Sequence, residues 1–376
     1  MGPGLRGGGH HHLDRGGGRG RHRPRLRGEG PPGCGACPYL GRADERLAPP
    51  RRAAGARLVD RRAVLAAGLA APFAARAQAW PDRPVRIVVP YAPGGPTDIL
   101  ARSLAAALGE AWRQPVVVEN RPGAGSAIGT EVVARAPSDG TTLLFAATAH
   151  VMNPALMPHL PFDAVRDFTA ILNCAFHPML LVVHPSTGIS GLPGFIAAAR
   201  ARPGGLTMGS AGVGNASHLA MALFASVAGI ELTHVPFSGA APAQAAVLSG
   251  QVQGGFFNST VAVPQIRDGR LRGIATADAK RWREVPDLPT LAELGYPGAE
   301  AGSWYGVLAP ARLPPPLVAR LHADILAAMR QPAVRERVIA AGLDPLETGP
   351  AEFQAQLAAE VGKWDRVVKA AGIKPD

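Results

Sequence analysis

Four loops carry residue types that could hold a small anion: Ala92–Asp98, Gly123–Gly129, Gly209–Ser217 and Ser238–Pro242. Each follows a strand-like run, is rich in glycine or other small residues, and opens into a helical pattern. At a helix start the first N–H groups lack an intrahelical partner and sit at the positive end of the dipole. A carboxylate or phosphate is the group that such a loop would hold. For any single loop, an ordinary strand–turn–helix connection is the plain alternative. Four in one chain favour binding, and two such sets facing each other could clamp both ends of a dicarboxylate. The first loop, Tyr91-Ala-Pro-Gly-Gly-Pro-Thr-Asp98, leads into Leu100, Leu104, Ala107 and Leu108 at helical spacing, with Gly109 as the expected stop. Thr97 and Asp98 are N-cap types. Asp98 is in tension with an anionic ligand. It must cap the helix, face away, or bind a cationic group such as an ammonium.

Other chemistries fit poorly. Gly123-Ala-Gly-Ser-Ala-Ile-Gly129 is G-x-G-x-x-x-G, one residue off the dinucleotide fingerprint, and Gly212-Val-Gly-Asn-Ala-Ser217 ends in serine. The only lysines are Lys280, Lys363, Lys369 and Lys374, so no P-loop exists, and no G-x-S-x-G elbow is present. The histidines after residue 79 lack H-x-x-x-H or H-E-x-x-H spacing. Neither a metal nor a cofactor is expected, and no catalytic residue stands out. His218 opens the helix after the third loop, where it could donate to an anion or simply bond to backbone. Cys34 and Cys37 form an isolated C-x-x-C without a second ligand pair, and Cys174 reads as a buried thiol.

The formal charge of +11 points at first to nucleic acid, but its distribution removes that reading. Residues 1–79 hold 15 arginines and 5 acidic residues, leaving 24 basic and 23 acidic residues beyond them. The part with fold-forming periodicity is thus nearly neutral.

Residues 1–50 are low-complexity, with few apolar side chains to bury, and are expected to be disordered. They read as translation from an upstream start codon, with a basic RNA-binding tail as the alternative. Residues 51–79 read as a secretory signal peptide. Arg51, Arg52, Arg57, Arg61 and Arg62 precede the apolar run Ala63–Ala75, and Ala77-Gln-Ala79 supplies the cleavage site. Arg61-Arg62-Ala-Val-Leu65 resembles the twin-arginine signal, although Asp60 replaces the usual Ser or Thr. A soluble, exported, periplasmic protein follows.

The elements that must position the loops alternate from Trp80 onward. Strands are expected at Val85–Val89, Pro115–Glu119, Thr141–Ala147 and Met179–His184, then Leu206–Met208, Leu232–Val235, Gln251–Phe257, Leu271–Thr276 and Ser303–Pro310. Helices lie between them, and three more close the chain. The last carries Phe353, Leu357, Val361, Trp364 and Val368 on one stripe. This alternation predicts parallel α/β sheet. Strand-like crossings near 180 and near 305 predict two lobes, 80–182 with 304–376 and 183–303, able to close on a ligand.

Several stretches, in order from about residue 80 to the end, are similar to one family. They are Tyr91–Asp98, Val117–Gly125, Asn153-Pro-Ala-Leu156 with Pro161-Phe-Asp163, Gly209–Gly214 with Ser217-His-Leu219, Val235–Ala240, Asp287–Thr290 and Trp304-Tyr-Gly306. The chain resembles the Bug-type extracytoplasmic solute receptors, the substrate-binding proteins of tripartite tricarboxylate transporters. The resemblance implies an α/β, two-lobed periplasmic-binding-protein fold of type II, with a small carboxylate in the interdomain cleft and no catalysis. It implies that Tyr91, Ala92, Pro93, Gly94, Gly95, Pro96, Thr97 and Asp98 hold one carboxylate, largely through backbone groups and water, with Thr148 beside them. Ser210, Gly212, Gly214, Asn215, Ser217 and His218 would face its other end, with Ser238 and Gly239 in the adjoining loop.

Gln253 and Asn258 stand where the family often has acidic residues. Asn258 near the cleft would leave no charge partner for an ammonium and favours plain organic acids over amino acids. The implied partners are the acid itself and the transporter's membrane permease subunits, or a sensor kinase if the receptor feeds a two-component system. A monomer is expected, as is no contact with nucleic acid. A periplasmic enzyme acting on carboxylic acids is the remaining alternative.

Overall fold

A computed structural model describes residues 80–374. The low-complexity extension, the signal peptide with its cleavage site near Ala79, and the Cys34–Cys37 pair lie outside the described residues. From Trp80 the elements run β1 (Val85–Val89), α1 (Pro96–Trp112), β2 (Val116–Asn120), α2 (Ala127–Ala134), β3 (Thr142–Ala147) and α3 (Ala149–Leu156). The long strand β4 (Phe168–Val183) follows, then α4 (Leu192–Ala201), β5 (Thr207–Ser210), α5 (Ala216–Ala228), β6 (Thr233–Pro236) and α6 (Ala240–Leu248). Next come β7 (Gly254–Asn258), α7 (Ser259–Arg267), β8 (Arg272–Ala277) and β9 (Gly302–Pro310). The chain ends with α8 (Pro315–Met329), α9 (Pro332–Ala340), β10 (Asp344–Thr348) and α10 (Pro350–Ala370).

The strands are ordered β2-β1-β3-β9-β4-β7-β5-β6, with β8 and β10 also pairing with β4. The expectation of a purely parallel sheet needs correction. The β1–β2, β1–β3, β5–β6 and β5–β7 pairs are parallel, as alternating helices require. β9 runs antiparallel to β3 and β4, and β4 runs antiparallel to β7 and β8. The reason is geometric: a strand that carries the chain from one set of βα units to the next runs against the strands it joins.

β4 is the shared spine. Its first part, Phe168 to Pro178, pairs with β9, and Met179 to Val183 pairs with β7 and β8. The two crossings lie side by side, since Met179 donates its N–H to the Ala301 carbonyl at 2.9 Å.

Each element forms because one face has somewhere to go. On α1, Leu100, Leu104 and Leu108 pack with Ile87 and Phe145 of the sheet and with Leu321 and Ile325 of α8. Gly109 does not stop this helix. It continues to Trp112, which packs edge-on to Trp80 and donates to Asp324 at 2.7 Å, and Arg113 in the left-handed conformation ends it. On α10, the stripe Phe353, Leu357, Trp364 and Val368 is buried in a second cluster with Trp304. Trp304 meets Phe353 edge-on at 5.2 Å and donates Nε1–H to Glu360 at 3.0 Å.

Candidate functional site

Gly95 caps α1 without a side-chain bond, and Pro96 sets the first helical residue. Asp98 turns back on this start. Its Oδ2 accepts the Gly94 N–H and Arg102 Nε–H, both at 3.0 Å, and its Oδ1 accepts Asn120 Nδ2 at 2.9 Å. Asn120 also donates to the Tyr91 carbonyl at 3.1 Å, which ties the turn to β2. The Gly94 N–H, expected to face an anion, is therefore occupied within the turn. Ala92, Pro93, Gly94 and Pro96 are exposed, and neither they nor Gly95 or Asp98 line the cavity described next.

That cavity, of about 590 Å³, opens where the two sets of βα units meet. On the first side it is lined by Tyr91, Thr97, Gly125, Thr148 and Ala149, and by Met152, Asn153, Leu156 and Met157 of the α3 segment. On the second side stand Ala211, Val213, Gly214, Asn215, Ala216 and Ser217, with Gly239, Ala240, Phe257 and Asn258. Met179, Ser303 and Tyr305 come from the shared strands, and Lys374 from the chain beyond α10.

The buried Thr148 oxygen accepts the Trp304 N–H at 2.8 Å, which leaves its hydroxyl proton for the cavity. Burial raises the Tyr91 hydroxyl to about 12, opposed by a bond from Ser126, so the phenol stays protonated. Asn153 donates to the Gly125 carbonyl at 2.8 Å and fixes the Gly123–Gly129 loop. Asn258 caps α7, and its Oδ1 is buried without a hydrogen-bond partner among the described residues.

In the third loop, the cap Asn215 accepts both Ser217 N–H and Ser217 Oγ–H at 3.1 Å, and Ser217 Oγ accepts the Ala211 N–H at 3.0 Å. Ser210 and His218 stand behind this loop rather than in the cavity lining. Ser210 Oγ bonds His234 Nε2 at 2.5 Å, and it also accepts the Gly212 N–H at 3.2 Å. His218 Nδ1 accepts the Gly214 N–H at 3.1 Å, and its ring stacks on His234 with centroids 3.6 Å apart. Burial first, and the His234 ring second, push His218 down to about 4. The backbone bond engages Nδ1 alone.

Thus Tyr91, Thr97, Thr148, Gly214, Asn215, Ser217, Gly239 and Asn258 share one cavity. Ser210, Gly212 and His218 shape a loop, and Ser238 is exposed beside Gly239. Gln253 is elsewhere, accepting the Thr207 N–H at 2.7 Å. Sequence reasoning missed Met152, Met157, Met179, Phe257, Ser303, Tyr305 and Lys374. For α3 the only signal was the Asn153-Pro-Ala-Leu156 motif. Among the described residues no three His, Cys, Asp or Glu side chains gather as a metal site.

Two βα sheets sharing a strand, with a cavity at their junction fed by loops from both, define a two-lobed solute-binding protein. The chain belongs to the tripartite tricarboxylate transporter family of receptors, which its residues 100–373 match. It is 35% identical over 313 residues to protein BugT of Bordetella pertussis, covering 83% of this chain and 95% of that protein. Among solved structures it is similar to Rpa4515 of Rhodopseudomonas palustris with adipate, at 34% identity and TM-score 0.65, covering 79% of this chain and 100% of the other. It is also similar to MatC from the same organism with bound malate, at 34% identity and TM-score 0.63, covering 77% and 100% of the two chains. As a member of this receptor family it is a non-catalytic solute receptor.

Proposed function

We propose that this protein captures a small organic di- or tricarboxylate in the periplasm and delivers it to the permease subunits of a tripartite tricarboxylate transporter. The observation that carries this reading is the cavity's composition. Uncharged hydrogen-bonding groups of Thr97, Thr148, Asn215 and Ser217 flank the apolar side chains of Met152, Met179 and Phe257, and among the described residues no carboxylate lines the space. Such a surface suits an acid with a hydrocarbon body. The adipate and malate held by similar proteins support the same class. Residues 80–182 with 304–376 and residues 183–303 act as the two lobes that close on it, with the paired crossings at Met179 and Ala301 as the hinge. Asn258 at the wall supplies an amide where an ammonium would need an acid, which favours plain acids over amino acids.

Thermal-shift and calorimetric titration of residues 80–376 with adipate, malate, citrate, amino acids and the neutral diol of adipate tests this. A ligand at 100 times its Kd adds about 2.7 kcal/mol to stability. Binding of the neutral diol but of no acid rejects the reading.

A further inference from the structure

Among the described residues that line the cavity, Lys374 is the one with a formally charged side chain. Its position follows from how α10 ends. Gly372 adopts φ +60° and donates its N–H to the Lys369 carbonyl at 3.2 Å, and Ile373 N–H reaches back to the Val368 carbonyl at 3.0 Å. These paired bonds are a Schellman stop, which turns the chain sharply away from the helix axis. Ile373 then packs against the core cluster that contains Val368. α10 itself packs on α3, which supplies Met152 and Leu156 to the cavity, and on α5, whose first turn supplies Ser217. The lysine is therefore delivered to the cleft by an anchored turn. Its ammonium is exposed, and no hydrogen bond or ion pair to another described residue engages it.

We infer that Lys374 is the charge partner for a second anionic group on the ligand, so that the receptor discriminates dicarboxylates from monocarboxylates. This rests on the carboxylate reading of the same cavity and adds the side chain that reads the second charge. Neutral donors such as the Thr148 hydroxyl and the Asn215 amide bond one carboxylate without counting the charges on the rest of the molecule. A cation at the cavity wall attracts the second carboxylate and gives a monoacid's methyl end nothing. Because the ammonium is exposed, its contribution is screened by salt.

The test is calorimetric titration of the full exported chain and its Lys374→Gln and Lys374→Arg variants with two matched pairs, succinate against butyrate and adipate against hexanoate. Each is run at low and at physiological ionic strength. The wild-type chain is expected to prefer the dicarboxylate of a pair. Lys374→Gln should weaken that dicarboxylate about tenfold at low salt, leave the monoacid unchanged and flatten the salt dependence, while Lys374→Arg retains the preference. Unchanged dicarboxylate affinity in Lys374→Gln overturns this inference and leaves the carboxylate receptor standing. Equal weakening of both members of a pair also overturns it, because the lysine then acts on cleft shape rather than on the second charge. If the wild-type chain binds none of the four acids, malate against 3-hydroxybutyrate is the deciding pair, with the same outcomes; binding of the neutral diol of adipate and of no acid at all takes down the carboxylate reading and this inference with it.

Discussion

Asp98 and Gly94 close the first loop on itself: the Asp98 carboxylate accepts the Gly94 main-chain N–H at 3.0 Å while also holding Arg102 and Asn120. Burial alone would raise this carboxyl. The bonds from Arg102, Gly94 and Asn120 outweigh it and hold Asp98 below the usual carboxylate range. Its charge is neutralised in place, beside Arg102, so it does not oppose an acid in the neighbouring cavity.

Asp98→Ala should therefore act on stability first. It leaves the Gly94 N–H and the Asn120 amide without their acceptor, at a cost of about 2–3 kcal/mol by urea denaturation at pH 7. Since the folded carboxyl titrates below its unfolded value, this stabilisation is present above about pH 4 and fades as pH falls through the folded value. A wild-type to Asp98→Ala difference that stays constant down to pH 3 contradicts this account.

Much of the fold was legible because burial is one-sided. β1 lies where its Val and Ile run places it, and α1, α5 and α10 follow their apolar spacing. The first part of β4 was not legible: Asn173, His177 and Pro178 interrupt its apolar pattern, and it is a strand because β9 and β10 pair with it from far along the chain. α3 contains Pro154 and lacks a side-chain cap. For the site, glycine, serine and asparagine marked the right loops. Which of their groups face the cavity depends on bonds such as His218 to Gly214, made only after folding. Lys374 had no local signal at all.

Acid sensitivity follows from the buried imidazoles. Burial pushes His150 and His177 down to about 4, and burial with the His234 ring does the same to His218. Between about pH 6.5 and 4 the unfolded chain binds protons at these sites and the folded chain does not, so stability is present above pH 6.5 and falls with acid. Each site contributes a slope of roughly 1.4 kcal/mol per pH unit in that window. His150→Phe should remove one such slope in urea denaturation from pH 7 to 5. An unchanged slope in that variant would show that His150 already takes up its proton in the folded state.

Gly214 sets the rim of the cleft against α3. It adopts φ +70°, and a Cβ there would lie 3.0 Å from Leu156 Cδ2 on the opposite side. Gly214→Ala should cost about 1–2 kcal/mol for the left-handed backbone. It should also weaken carboxylate binding as Leu156 is displaced, with Leu156→Ala in the same chain recovering part of the affinity but none of the stability. Recovery of neither quantity would place the whole defect in the backbone.

Tyr305 separates two hydrogen-bond arrangements where β9 pairs with β4. Its hydroxyl lies 3.0 Å from His177 Nε2, and His177 Nδ1 lies 3.5 Å from the Pro178 carbonyl. With the neutral ring's proton on Nδ1, facing that carbonyl, Nε2 accepts the Tyr305 O–H. The phenol oxygen then presents lone pairs, not a donor, to the cavity. Burial raises the Tyr305 hydroxyl, with the neighbouring Tyr91 adding to the effect, so it stays protonated across physiological pH. Tyr305→Phe should therefore cost about 1–2 kcal/mol of stability by leaving Nε2 unpaired, and change carboxylate affinity by less than about twofold. The opposite tautomer, Nε2–H to Tyr305 and Tyr305 O–H to the ligand, predicts a loss of about tenfold instead. Calorimetric titration of Tyr305→Phe beside Thr148→Val, whose hydroxyl proton is free for the ligand, decides between them. Equal losses in both variants would place Tyr305 among the donors.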